Sequence, residues 1–180
     1  GSGLVFSTSS ILNALTFGCP VDMGYVATEE RLIRSAAISC RWDEGAAWKL
    51  EVRERGGHTR TVRVMMPFMQ LYRAALAARE AGCHFMWLDT LSVPQPDTGD
   101  SQEVVALKNI CIRRLIPTMT AVYASVQLVV VVETECGLGD TSNAYHRRTW
   151  TLQECILNKN TAFVGLDGHF RMLGDACSRQ

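Results

Sequence analysis

Near the end of a mostly apolar chain stands HRRTWTLQECI, His146 to Ile156, where Arg147 and Arg148 precede Trp150, and Glu154 follows the tryptophan by one helical turn. A carboxylate held beside an aromatic ring can stabilise a developing positive charge, bind hydroxyl groups or act as a nucleophile. The same run also has a purely structural reading. Thr151-x-x-Glu154 is a capping box, with Trp150 and Cys155 set as the two halves of a hydrophobic staple. The two readings do not exclude one another.

Two further groups of residues carry polar chemistry. Arg41, Arg147 and Arg148 could bind a pyrophosphate bidentately, or be solvated at the surface or paired with Asp43, Glu44 or Asp89. Trp42 could stack on a planar ring, or pack at the rim of the core. Asp89 could hold sugar hydroxyls, or close the loop after its strand through an Asx-type bond. Ser39 has the same double reading, as a ligand contact or a strand residue. Trp87 and Tyr123 read most simply as core. Other chemistries have less support. Histidines 58, 84, 146 and 169 show no metal-ligand spacing, and no Cys-x-x-Cys pair occurs. Cys155 near His146 lacks any hydrolase signature, and GLGD at Gly137 is too short for a phosphate loop.

Positioning these residues is the task of the surrounding elements. SAAISCRW, Ser35 to Trp42, reads as a buried strand with Ser39, Arg41 and Trp42 at its carboxyl end. WKLEVRERGGHTRTVRVMM alternates about Gly56-Gly57, which predicts a β-hairpin with one solvated face. PFMQLYRAALAAREAG predicts a helix with Pro67 at its first position and Gly82 as its stop. CHFMWLDTLSV predicts a strand ending in Asp89. A helical pattern follows from about Ser101 to Ser125, which Pro117 should kink or split. The β-branched run from Val126 to Val132 predicts a central parallel strand covered on both faces. CGLGDTSNAYH reads as loop, the run that follows it opens a helix, and TAFVGL reads as a later strand.

This alternation predicts an α/β fold with a parallel sheet and the hairpin inserted after its first strand. Ligands of such sheets sit beyond the carboxyl ends of the strands, so three polar clusters distant in sequence should meet on one edge. A chain of 180 residues, 47% hydrophobic and 20% charged, fits a single domain over residues 4–180. Gly1-Ser2-Gly3 has the look of a cloning remnant. Eighteen basic and eighteen acidic residues leave a net charge of zero, which gives no general attraction to nucleic acid or anionic membrane. Seven cysteines, an odd number without paired spacing, suggest a reducing, cytoplasmic setting. No apolar stretch is long enough to span a bilayer.

Four blocks in order carry a resemblance to the heterokaryon-incompatibility (HET) domain family. AAISCRW resembles its Ser-x-x-Trp strand. FMWLDTLSVPQPD resembles its Trp-Ile-Asp-x-x-Cys-Ile-x-Gln block, with Ser92 where cysteine is usual and Gln95 retained. MTAVYASVQLVVVV is similar to its Met-Tyr helix and following strand, and RRTWTLQE to its Arg-x-Trp-Thr-x-Gln-Glu block. The Glu-Arg-x-x-Gln run of the family is not recognisable in CIRRLIPTM. HET domains are in turn distantly similar to TIR domains, and Trp150 and Glu154 reproduce the TIR Trp-x-x-x-Glu spacing. The resemblance implies a flavodoxin-like (TIR-like) fold, a cell-death or immune signalling role and cleavage of the nicotinamide–ribose bond of NAD. Glu154 is then the catalytic residue, while Ser39, Arg41, Trp42, Asp89, Arg148 and Trp150 bind substrate. It further implies NAD as substrate rather than cofactor, and a homo-oligomer on activation. The alternative is a non-enzymatic module that signals by self-association.

Overall fold

A computed structural model describes residues 3–40, 42–96, 99–132, 157–165 and 170–172. The expected loop over 136–146 and the helix opening that follows it lie outside the described residues. The described strands are β1 (Leu4–Ser7), β2 (Tyr25–Val26), β3 (Ser35–Cys40), β4 (Trp48–Arg53), β5 (Thr59–Val64), β6 (Phe85–Leu88), β7 (Leu128–Val132), β8 (Thr161–Val164) and β9 (Phe170–Met172). The described helices are α1 (Thr8–Phe17), α2 (Glu29–Leu32), α3 (Phe68–Glu80), α4 (Asp89–Ser92) and α5 (Gln102–Ser125).

The architecture is mixed α/β. One sheet has the order β2-β1-β6-β3-β7-β8-β9, and β4-β5 form a separate two-stranded ribbon. The four central strands, β6, β3, β7 and β8, run parallel, with Ala37 opposite both Trp87 and Val129. Counted among themselves in chain order, these parallel strands stand 2-1-3-4. The sequence reading omitted the antiparallel edges. β1 and β2 flank β6 on one side and β9 flanks β8 on the other. The outermost strands, β2 and β9, hold two and three residues, too short to display a period-two pattern, and edge position lets them be so short.

The valine-rich strand β7 behaves as its branched side chains predict: all five of its residues are buried, and both of its neighbours are parallel. Successive side chains of the central strands alternate between two cores. Ile38, Met86, Leu88, Val130 and Val132 face one core, which also takes Ile11 of α1, Leu71 and Ala75 of α3, and the inner face of the hairpin. Ala37, Trp87, Val129 and Val131 face the other, together with Leu32 of α2 and Val122 and Tyr123 of α5. The helices thus flank the sheet on both sides, as covered parallel strands require.

The hairpin is inserted after β3 as expected. It pairs Trp48 with Val64 through Arg53 with Thr59, buries Leu50, Val52, Val62 and Val64, and exposes Lys49, Glu51 and Arg63. In α3 the alanines at 74, 75, 77 and 78 are all buried, so the helix backbone can approach the sheet closely. Gly82, at φ 77°, ends it in a Schellman arrangement, with the Cys83 N–H donating to the Ala78 carbonyl at 2.9 Å. Pro67 stands just outside this helix as its cap rather than at its first position.

Two expectations need correction. Of the kink or split expected at Pro117, the split does not occur: α5 runs unbroken for 24 residues. The ring lies on the exposed side, where water can take the carbonyl that the missing N–H leaves free. β6 ends at Leu88, and Asp89 opens the single turn α4 instead of closing the strand. Gly3 participates in the fold whatever its origin: its carbonyl accepts from the Ala27 N–H at 3.0 Å, and a Cβ there would stand 2.6 Å from the Ser92 carbonyl oxygen.

Candidate functional site

β3 and β6 are adjacent and parallel, so their carboxyl ends point the same way and deliver the residues that follow them to one edge. Trp42 follows β3 and Asp89 follows β6. The Trp42 indole N–H donates to Asp89 Oδ2 at 2.6 Å, a contact between residues 47 positions apart. Asp89 Oδ1 accepts from the Thr90 N–H at 2.7 Å, so the carboxylate also closes its own turn, one residue away rather than in a true Asx turn. Both donors are neutral. Burial is the larger influence on the group: it raises the Asp89 carboxyl from 3.8 to about 6, against the lowering effect of the bonds from Trp42 and Thr90.

The turn that carries Asp89 is built firmly. Ser92 is buried and accepts from the Leu88 N–H at 3.1 Å through its hydroxyl, tying the end of β6 to α4. Trp87, one residue before, is fully buried and meets Tyr123 edge to face at 5.8 Å. Sheet and α5 are further joined by Asn158. Its Nδ2 donates to the carbonyls of Tyr123 and Val126, at 3.0 and 2.8 Å.

Beside the Trp42–Asp89 pair lies a cavity of about 360 Å³, within the range of small-molecule sites. Val93 and Gln95, after α4, form one side; Ile112, Ile116, Met119 and Tyr123 of α5 form another. The wall is mainly apolar, with Asp89, Gln95 and Thr120 supplying polar atoms. Through Trp42 and Asp89 it borders the carboxyl ends of β3 and β6, and strand order reverses between β3 and β7. Open α/β sheets bind ligands in that region.

The structure therefore brings together two of the residues expected at the site, Trp42 and Asp89. Ser39 is buried within β3, paired in register with Val131, and does not line the cavity. It stands in the strand, as its strand reading expects. Arg41, Arg147, Arg148, Trp150 and Glu154 lie outside the described residues. Tyr123 is core, as expected, and also lines the cavity. The α5 wall was missed as a site. Its apolar residues at 112, 116, 119 and 123 follow the spacing of an ordinary core stripe, and nothing local separates a sealed stripe from one bordering a cavity. Among the described residues no group of three His, Cys, Asp or Glu could hold a metal ion, and no helix is long and apolar enough to cross a membrane.

No protein-family model, curated protein or solved structure matches this chain.

Proposed function

We propose that this chain is a HET-type, TIR-like domain that binds NAD or a related nucleotide at the carboxyl edge of its sheet and cleaves the nicotinamide–ribose bond. The observation that carries this reading is the Trp42–Asp89 pair beside the cavity: residues from two of the four resembling blocks meet at 2.6 Å on the ligand-binding edge of a parallel sheet. The 2-1-3-4 order of the parallel strands supports it, being the first four places of a flavodoxin-like 2-1-3-4-5 sheet.

The chemistry asks little of the protein. Nicotinamide is a cationic pyridinium ring while bonded to the ribose and leaves as a neutral molecule, so the leaving group needs no proton. Positive charge grows on the ribose as the bond breaks, and a carboxylate there stabilises it or captures the sugar carbon before water does. Glu154 is the residue that the resemblance nominates for that role. Arg41 and Arg148 would hold the pyrophosphate through paired N–H groups. Activation by self-association, in a cytoplasmic cell-death or immune response, completes the reading.

Glu154→Gln tests it, because the amide keeps side-chain shape and much of the capping geometry while removing the charge. Nicotinamide release from NAD should fall by orders of magnitude, since a preorganised charge at such a transition state is typically worth several kcal/mol. A cap alone would cost roughly 1 kcal/mol of stability and leave turnover intact. Melting temperature and nicotinamide release measured on the same samples separate the two. Wild-type cleavage retained by the mutant refutes the assignment, and wild-type protein that never cleaves NAD at any concentration leaves the self-association module as the function.

A further inference from the structure

Among the described residues, Asp89 has no charged partner in its bonds. Its two donors, the Trp42 indole and the Thr90 amide, are neutral dipoles. Ionising a carboxylate in such surroundings is unfavourable, which is the sense of its rise to about 6. Each oxygen accepts one described bond, leaving further lone pairs available to a ligand. Apart from Gln95 and Thr120, the remaining described walls are of the kind that favour flat, weakly hydrated groups: the aromatic residues Trp42 and Tyr123, the thioether of Met119, and the branched chains of Ile112 and Ile116.

We infer that this cavity is a binding site for a flat organic cation of the pyridinium kind, with Asp89 as its anchoring carboxylate and aromatic and aliphatic side chains as its walls. Its assignment to the nicotinamide end of the substrate rests on the glycohydrolase reading above; its preference for a cation does not. A phosphate in the same place would be repelled by Asp89 and would exchange water for hydrocarbon. A delocalised ring cation gains on each count: it pairs with the carboxylate, it is attracted by aromatic faces, and it loses little hydration. At about 360 Å³ the cavity lies near the lower end of small-molecule sites, suited to one ring system rather than to a whole dinucleotide. The same preference would favour the oxidised pyridinium over the reduced, uncharged dihydropyridine, and would let neutral nicotinamide leave after cleavage.

The probes are 1-methylnicotinamide, which is a cation, and nicotinamide, which is not. Both are titrated into the full chain near pH 7.5 and followed by calorimetry or ligand-observed NMR. The cation should bind roughly tenfold more tightly than the neutral amide, as expected for one charge contact in a partly screened site. Asp89→Asn should bring the two affinities together. Ile116→Lys, on the exposed side of α5 at 44% exposure, sets an ammonium at the cavity wall and should also remove the cation's advantage. It decides the matter if Asp89→Asn does not fold. Equal wild-type affinities, no binding of either probe, or a cation preference that survives both substitutions overturns the inference. NAD cleavage measured in parallel across a range of protein concentrations keeps the two claims apart: cation binding without cleavage at any concentration sinks the glycohydrolase reading alone, and cleavage without cation preference sinks this one alone.

Discussion

Replacing Asp89 with asparagine should change how stability depends on pH, and the sign follows from the direction of its shift. The carboxyl is raised from 3.8 to about 6 in the folded protein. The folded state therefore holds the proton more tightly than the unfolded chain. The resulting stabilisation is complete below about pH 3.8 and is lost as pH rises through about 6. At about 1.4 kcal/mol for each unit, the whole effect is on the order of 3 kcal/mol, of which about 2 falls between roughly pH 4.5 and pH 7.5. Other carboxyl groups titrate in the same window, so the useful quantity is the difference between Asp89→Asn and the wild type. Asparagine accepts at one oxygen only and loses a bond from either Trp42 or Thr90, which offsets the difference by a constant. The pH trend survives that offset. Urea unfolding followed by fluorescence should show the mutant gaining on the wild type by about 2 kcal/mol across that range. A difference that stays flat with pH would refute the argument that burial governs this carboxylate. An ionised Asp89 at neutral pH is thus a cost to the fold.

Further outcomes follow from the same geometry. Asn158→Ala leaves the carbonyls of Tyr123 and Val126 without their donor; chemical unfolding should report a loss on the order of 2–4 kcal/mol, for two buried acceptors left unsatisfied. Gly3→Ala combines a backbone φ of 82° with a Cβ 2.6 Å from the Ser92 carbonyl, and should destabilise by roughly 1–3 kcal/mol. An unchanged melting temperature there would show that residue 3 does not pack beneath the β6–α4 turn. If activation requires self-association, specific NAD-cleaving activity should rise with protein concentration, and constant activity per molecule over a wide dilution series would count against it.

Local pattern alone determined several elements of this protein. The branched run of β7, the alternation of the hairpin about Gly56-Gly57, and the helical spacing of α3 up to Gly82 each state their structure within one short window, because side-chain period and backbone conformation are local properties. The sequence also placed Trp42 and Asp89 at the carboxyl ends of strands, which is half of what makes them a pair. Tertiary structure decided the other half. Only the parallel pairing of β3 with β6 brings residues 47 positions apart to 2.6 Å, and no window of sequence contains that contact. The outermost strands β2 and β9 were hidden because two and three residues have no visible period. Pro117 was legible as a helix breaker, yet its effect depended on lying at an exposed surface, which is set by the packing of the whole helix. The stripe from Ile112 to Tyr123 would look the same against a filled core. It borders a cavity because of what stands across from it, and that is decided by the ends of β3 and β6 and by α4, brought there by the sheet.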